Sequence, residues 1–131
     1  LKEGFPTFAP AQVTFTATAF EAVTEGDALF MRTSDGKVGK ASAANGLLEN
    51  ASVIGFAQIS ALTDESLQVV VAGLKDISGL DAGDLFFLSA TTAGAITATP
   101  PSAAGQAVVR IGEAATATKL SIQIEPPIKL S

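Results

Sequence analysis

The chain is 131 residues long, 47% hydrophobic and only 16% charged, with a net charge of −5. That length fits one domain able to bury about two-thirds of its unfolded surface, and the apolar content excludes intrinsic disorder. The absence of Cys and His excludes disulfides, thiolate or imidazole metal sites and the catalytic sets built on those side chains, and no Lys/Arg cluster exceeds Lys37 and Lys40, which leaves no footprint for nucleic acid.

In chain order, Leu1-Lys2-Glu3-Gly4-Phe5-Pro6 has no apolar run of the kind an export signal needs, so none is expected. Residues 1–11 are predicted to form an extended arm, because Pro6 and Pro10 preset extended backbone and the Phe5 and Phe8 rings have no strand of their own to pack on. Two readings of the arm stand side by side. It adds to a partner's sheet edge and buries Phe5 or Phe8 there, or it folds back over its own body or frays.

Residues 12–131 are expected to form a single β domain. Val13 to Ala19 alternates apolar residues with Thr, which predicts a strand with Val13, Phe15, Ala17 and Ala19 on one face. Strand-like runs follow at residues 28–32, 37–41, 53–59, 66–72, 85–89, 95–99, 107–111 and 120–124, separated by Gly, Asp, Asn, Ser and Pro. Asp35-Gly36 suits a tight hairpin. Many short strands with such turns predict an all-β sandwich or barrel. Residues 85–109 carry no charge, but Gly94, Pro100, Pro101 and many Thr break any membrane-crossing helix, so no membrane association is expected. Of the eight Phe, Phe15, Phe20, Phe30, Phe56, Phe86 and Phe87 are predicted core residues.

The chain also repeats itself. Gly26-Asp27 recurs as Gly83-Asp84 and Ile54-Gly55 as Ile111-Gly112, both 57 residues on. Asp35-Gly36 matches Ala93-Gly94 one residue out of step, and Ser66-Leu67-Gln68-Val69 is matched to Ser121-Ile122-Gln123-Ile124 after a hairpin two residues shorter. Two related β-units, residues 20–73 and 74–125, are expected. Gly26, Asp27, Gly83 and Asp84 would turn the chain, and Gly55 and Gly112 would sit at a close backbone approach or a bulge.

Little in the sequence supports chemistry. Paired-carboxylate catalysis needs two acids across a cleft, and the candidates are Asp27, Asp84, Asp76, Asp81 and Asp64-Glu65. Asp27 and Asp84 follow Gly at strand entries, where such side chains cap turn amides, and Asp64-Glu65 reads as a solvated hairpin tip. Asp76 with Asp81 supplies too few oxygens for calcium. Gly36 to Ser42 lacks the glycine spacing of a phosphate loop. Asn50-Ala51-Ser52 matches a glycosylation acceptor pattern with no export signal beside it. No catalytic residue, metal or cofactor is expected, and the chain is read as a non-enzyme.

An arm followed by Thr-Ala-Thr-Ala-Phe (residues 16–20), Gly26-Asp27-Ala28-Leu29, a hairpin, Val53-Ile54-Gly55-Phe56-Ala57 and Leu67 to Gly73 resembles the lambda-type head decoration proteins and related capsid cement proteins of bacteriophages. The second half, with Ala82-Gly83-Asp84-Leu85-Phe86-Phe87-Leu88-Ser89 and Ile124-Glu125-Pro126-Pro127-Ile128, is also similar to modules of phage tail fibres. The resemblance implies a tulip-like or barrel-like β body that trimerises on the outer surface of the virion's capsid. There the arm, through Phe5, Pro6, Phe8 and Pro10, would bridge copies of the major capsid protein and stabilise the expanded shell. The alternative it leaves is a tail-fibre or receptor-binding module; a carbohydrate-active enzyme comes third. Residues 74–125 make the body longer than the lambda-type pattern.

Overall fold

The structure, a computed structural model, describes residues 12–44 and 46–131. The chain is all-β. Its strands are β1 (Val13–Thr18), β2 (Ala28–Met31), β3 (Val38–Lys40), β4 (Val53–Ala57), β5 (Ser66–Ala72), β6 (Leu74–Asp76), β7 (Leu85–Leu88), β8 (Ile96–Thr97), β9 (Ala107–Val108), β10 (Arg110–Thr116), β11 (Lys119–Ile122) and β12 (Ile128–Lys129), with a short 3-10 turn at Leu48–Ala51. A first sheet runs β1-β5-β4-β2-β3 and a second β6-β11-β10-β7-β8, and β9 pairs with β12. Among the described residues the pairings between these strands are antiparallel. Of the two expected architectures this is the layered one, since among the described residues neither sheet closes into a barrel.

The second sheet repeats the strand order of the first, strand for strand. The matching extends to hydrogen bonds: Gly26 N–H to Ala57 O and Ala57 N–H to Asp27 O recur as Gly83 N–H to Ala114 O and Ala114 N–H to Asp84 O. The β2–β3 hairpin, closed by Arg32 N–H to Lys37 O, recurs as Ser89 N–H to Ala95 O, one residue longer. The last hairpin departs from the expected alignment. Ala57 opposes Val69 across eleven residues, whereas Ala114 opposes Leu120 across five, so Val69 and Val70 correspond to Leu120 and Ser121, and the match of Ser66 with Ser121 fails. The recurring unit also takes in β1, upstream of residue 20.

Two clusters fill the interior. The first lies between the sheets and draws Ala28, Phe30, Val53 and Phe56 from the first sheet against Phe86, Leu88, Ile111 and Leu120 from the second. The other lies on the far face of the first sheet, with Leu29, Val38, Ala57, Leu67 and Val69 joined by Ala17 and Ala19. Both faces of the first sheet are thus buried, which is why β2 and β4 read as continuous apolar runs rather than alternations. Directly after β1 the chain bridges β3 at Ala19↔Val38 and draws the two edges of that sheet together.

Three sequence expectations shift for local reasons. A bulge between Val13 and Thr14 takes Val13 off the face of Ala17 and Ala19 and leaves it 54% exposed. Phe87 points to the outer face of the second sheet because its neighbour Phe86 occupies the inner one; Phe30, Phe56 and Phe86 are buried, and Phe15 and Phe20 pack at the margins of the clusters. Leu74–Asp76, which lies outside every strand-like run of the sequence, forms β6: Gly73 at φ +97° kinks the strand so that one continuous run serves β5 in the first sheet and β6 in the second.

Candidate functional site

The arm residues Phe5, Pro6, Phe8 and Pro10 lie outside the described residues. What the structure fixes is where Gln12 stands. The Gln12 side chain donates from Nε2 to Leu74 O (2.7 Å), and its Oε1 accepts from Gln58 Nε2 (3.3 Å), so the chain enters β1 beside β6.

The turn residues hold equivalent places in the two sheets. Gly26 and Gly83 have φ +90° and +89°, a conformation open to glycine at no steric cost. Asp27 Oδ2 accepts from Thr24 N–H (2.8 Å), so it caps a turn amide three residues upstream rather than the downstream amide of the expected Asx-type motif, and Asp27 N–H donates to Thr24 O just as Asp84 N–H donates to Asp81 O. A Cβ on Gly55 would stand 2.4 Å from Val70 O, and one on Gly112 would stand 2.2 Å from Ser121 O, so both positions are close backbone approaches.

The carboxylates are dispersed into local pairs. Asp64, at φ +68°, meets Lys37 Nζ (3.0 Å), and Glu65 Oε1 accepts from Leu62 N–H in the same hairpin tip. Arg32 donates to both oxygens of Asp35 while its guanidinium lies 4.0 Å over the Phe20 ring. Those bonds, aided by the Lys37 N–H, hold the Asp35 carboxyl at about 2 instead of its ordinary 3.8. Asp76 bonds Lys119, which lowers its pKa, and Glu49 is lowered by its bond to Thr33. Among the described residues no three acids converge in a geometry that would hold a metal, and no helix is long and apolar enough to cross a membrane.

One cleft, of about 420 Å³, lies where the two units meet. Asp76, Ile77 and Ser78 form one wall and Ala95 and Ile96 the other, with Glu25 to Asp27 at the rim. Beside it the Lys75 side chain is 2% exposed, with Nζ 3.5 Å from Glu25 Oε2 and 3.3 Å from Asp76 O. The acids that line it, Asp27, Glu25 and Asp76, are engaged with the Thr24 amide, Lys75 and Lys119 in turn, so the cleft is a lined cavity whose carboxylates each have a partner of their own. Nothing in the sequence patterning pointed to it: Lys75 lies outside every strand-like run, and Gln12 stands just outside the Val13–Ala19 alternation.

The remaining surface carries exposed apolar side chains. Ile59 (51%) and Leu62 (65%) share the loop between β4 and β5, while Leu47 (71%) and Ile128 (65%) lie in segments tied by Lys129 Nζ to Gly46 O. No protein-family model matches the chain, and no curated protein does.

Proposed function

We propose that this chain is a phage capsid decoration protein that binds the outer surface of the head as a homotrimer and strengthens the expanded shell, with its N-terminal arm, through Phe5, Pro6, Phe8 and Pro10, bridging copies of the major capsid protein. The observation that carries this reading is the arrangement of the segments that resemble such proteins. Residues 16–20, 26–29, 53–57 and 67–73 are distant in sequence but fall on β1, β2, β4 and β5, adjoining strands of one sheet, with the arm leaving from the edge strand of that sheet.

Two further features support it. The exposed apolar residues Leu47, Ile59, Leu62 and Ile128 suit permanent self-assembly and docking, and exposed apolar groups of this kind mark interaction surfaces when they gather into patches. The surface carries few charges, and many copies engaging one shell would let modest single contacts hold. The test is binding of the purified protein to expanded, undecorated capsids of its own phage, read by electron microscopy. Density at the local three-fold positions, lost on deletion of residues 1–11, is expected. Density on the tail alone would replace this reading with a tail-fibre module, and no binding would remove it.

A further inference from the structure

We propose that the outer face of the second sheet docks on the same face of a second copy of this chain about a two-fold axis, with Phe87 over Leu85 of the other copy and Arg110 over its Glu113.

The first ground is what this face does in the other unit. Leu85 pairs with Glu113 and Phe87 with Arg110, just as Ala28 pairs with Phe56 and Phe30 with Val53, at the 57-residue spacing of the repeat. In the first unit those four side chains are buried, because the second sheet packs on them. In the second unit Leu85 is 39% exposed, and Phe87, Arg110 and Glu113 are half-buried. The same backbone face thus packs inside the molecule once and stands at its surface the second time, with two large apolar side chains kept on it. Neighbouring exposed apolar groups of this kind mark a surface that docks.

The second ground is that the pattern on the face is complementary to itself. Directly opposed residues lie side by side across a ladder, so the four form a block of two rows, Phe87 with Arg110 and Leu85 with Glu113. The apolar column lies on β7 and the charged column on β10. A two-fold axis in the plane of the face, perpendicular to the strands, keeps each column over itself and exchanges the rows. Apolar then meets apolar and each cation meets an anion, both twice by symmetry. Stacked sheet faces stand about 10 Å apart, a gap that two opposed long side chains span. An axis along the strands would set Glu113 over Leu85 and Arg110 over Phe87, burying the carboxylate without a counter-charge, so the first orientation is the favoured one.

The surroundings agree. Thr97 opposite Phe87 and Ser121 opposite Glu113 are small and uncharged and do not repel a second copy. Arg110 Nη2 donates to the neutral Gln123 Oε1 (3.4 Å), which orients the guanidinium without neutralising it. A block of this size sits at the small end of the interface range, so the contact is weak in free solution and gains strength wherever copies are held close together. The inference does not rest on the capsid reading, and either can fail alone; where both hold, this is a contact between trimers.

Sedimentation equilibrium of the full chain over rising concentration tests it. The unaltered protein should reach twice the mass of its smallest form. R110E and E113R each set like charges opposite one another and should weaken that doubling at least about tenfold, while R110E/E113R restores the pairing and recovers it. A protein that does not double, a doubling that neither single reversal weakens, or a double reversal as weak as the singles would each overturn the proposal.

Discussion

The two sheets share one strand order and differ in what their faces touch. In the first sheet Ala28, Phe30, Val53 and Phe56 face the second sheet and are buried. Their register equivalents in the second sheet, Leu85, Phe87, Arg110 and Glu113, face outward. The inner residues of the second sheet, Phe86, Leu88, Ile111 and Ala114, correspond instead to Leu29, Met31, Ile54 and Ala57, on the opposite face of the first. The units are therefore stacked face to back, like successive members of a row, and are not related by a two-fold axis, which would bring the same faces together. Glu113 stands in place of Phe56 and Arg110 in place of Val53, so the second unit's outer face carries charged side chains beside Leu85 and Phe87.

The largest expected effect tests this face contrast directly. Phe56→Ala should destabilise the protein by about 3–5 kcal/mol through loss of buried area and a residual cavity. Glu113→Ala, at the equivalent position of the other unit, should stay within about 0.5 kcal/mol. Urea unfolding of the two variants checks the pair, and comparable losses would mean that the second sheet's outer face is covered as well.

A smaller effect comes from Lys75. By register it stands where Phe15 stands in the first sheet, since Phe15 opposes Val69 and Lys75 opposes Leu120. Its ammonium is buried while its partner Glu25 is 60% exposed. Glu25→Gln leaves a buried charge without its counter-ion and should cost about 1–2 kcal/mol, discounted from the cost for a fully buried pair because Glu25 is solvated. Lys75→Met removes the charge with its need and should be nearly neutral. Thermal unfolding orders the two, and a Lys75→Met loss exceeding that of Glu25→Gln would assign the ammonium a stabilising role of its own.

The smallest effect separates the two hairpins by pH. The first is tied by Arg32 and Asp35, whereas the second is tied at the equivalent residue by Ser89 Oγ, which accepts from the Thr91 and Thr92 amides and does not titrate. Asp35 is lowered in the folded state, so its contribution is complete above the ordinary 3.8 and is lost as pH falls toward about 2. Amide exchange between pH 4 and pH 2 should speed up in the Arg32–Lys37 hairpin relative to the Ser89–Ala95 hairpin, and Asp35→Asn should abolish that difference. Both groups are exposed, so global stability should move little.

The sequence alone determined the all-β class, most strand centres and the recurring Gly-Asp and Ile-Gly steps, because these depend on local chemistry: β-branched and aromatic runs, turn residues, and glycines where no Cβ fits. The tertiary structure decided which face of each sheet met the other, since Phe86 and Phe87 are alike in sequence and a strand's inner side is fixed only by what packs on it. It also decided the bulge that turns Val13 outward, the strand role of Leu74–Asp76, and the burial of Lys75. Each of these depends on a partner strand 40 or more residues away along the chain, a relation that no local pattern encodes.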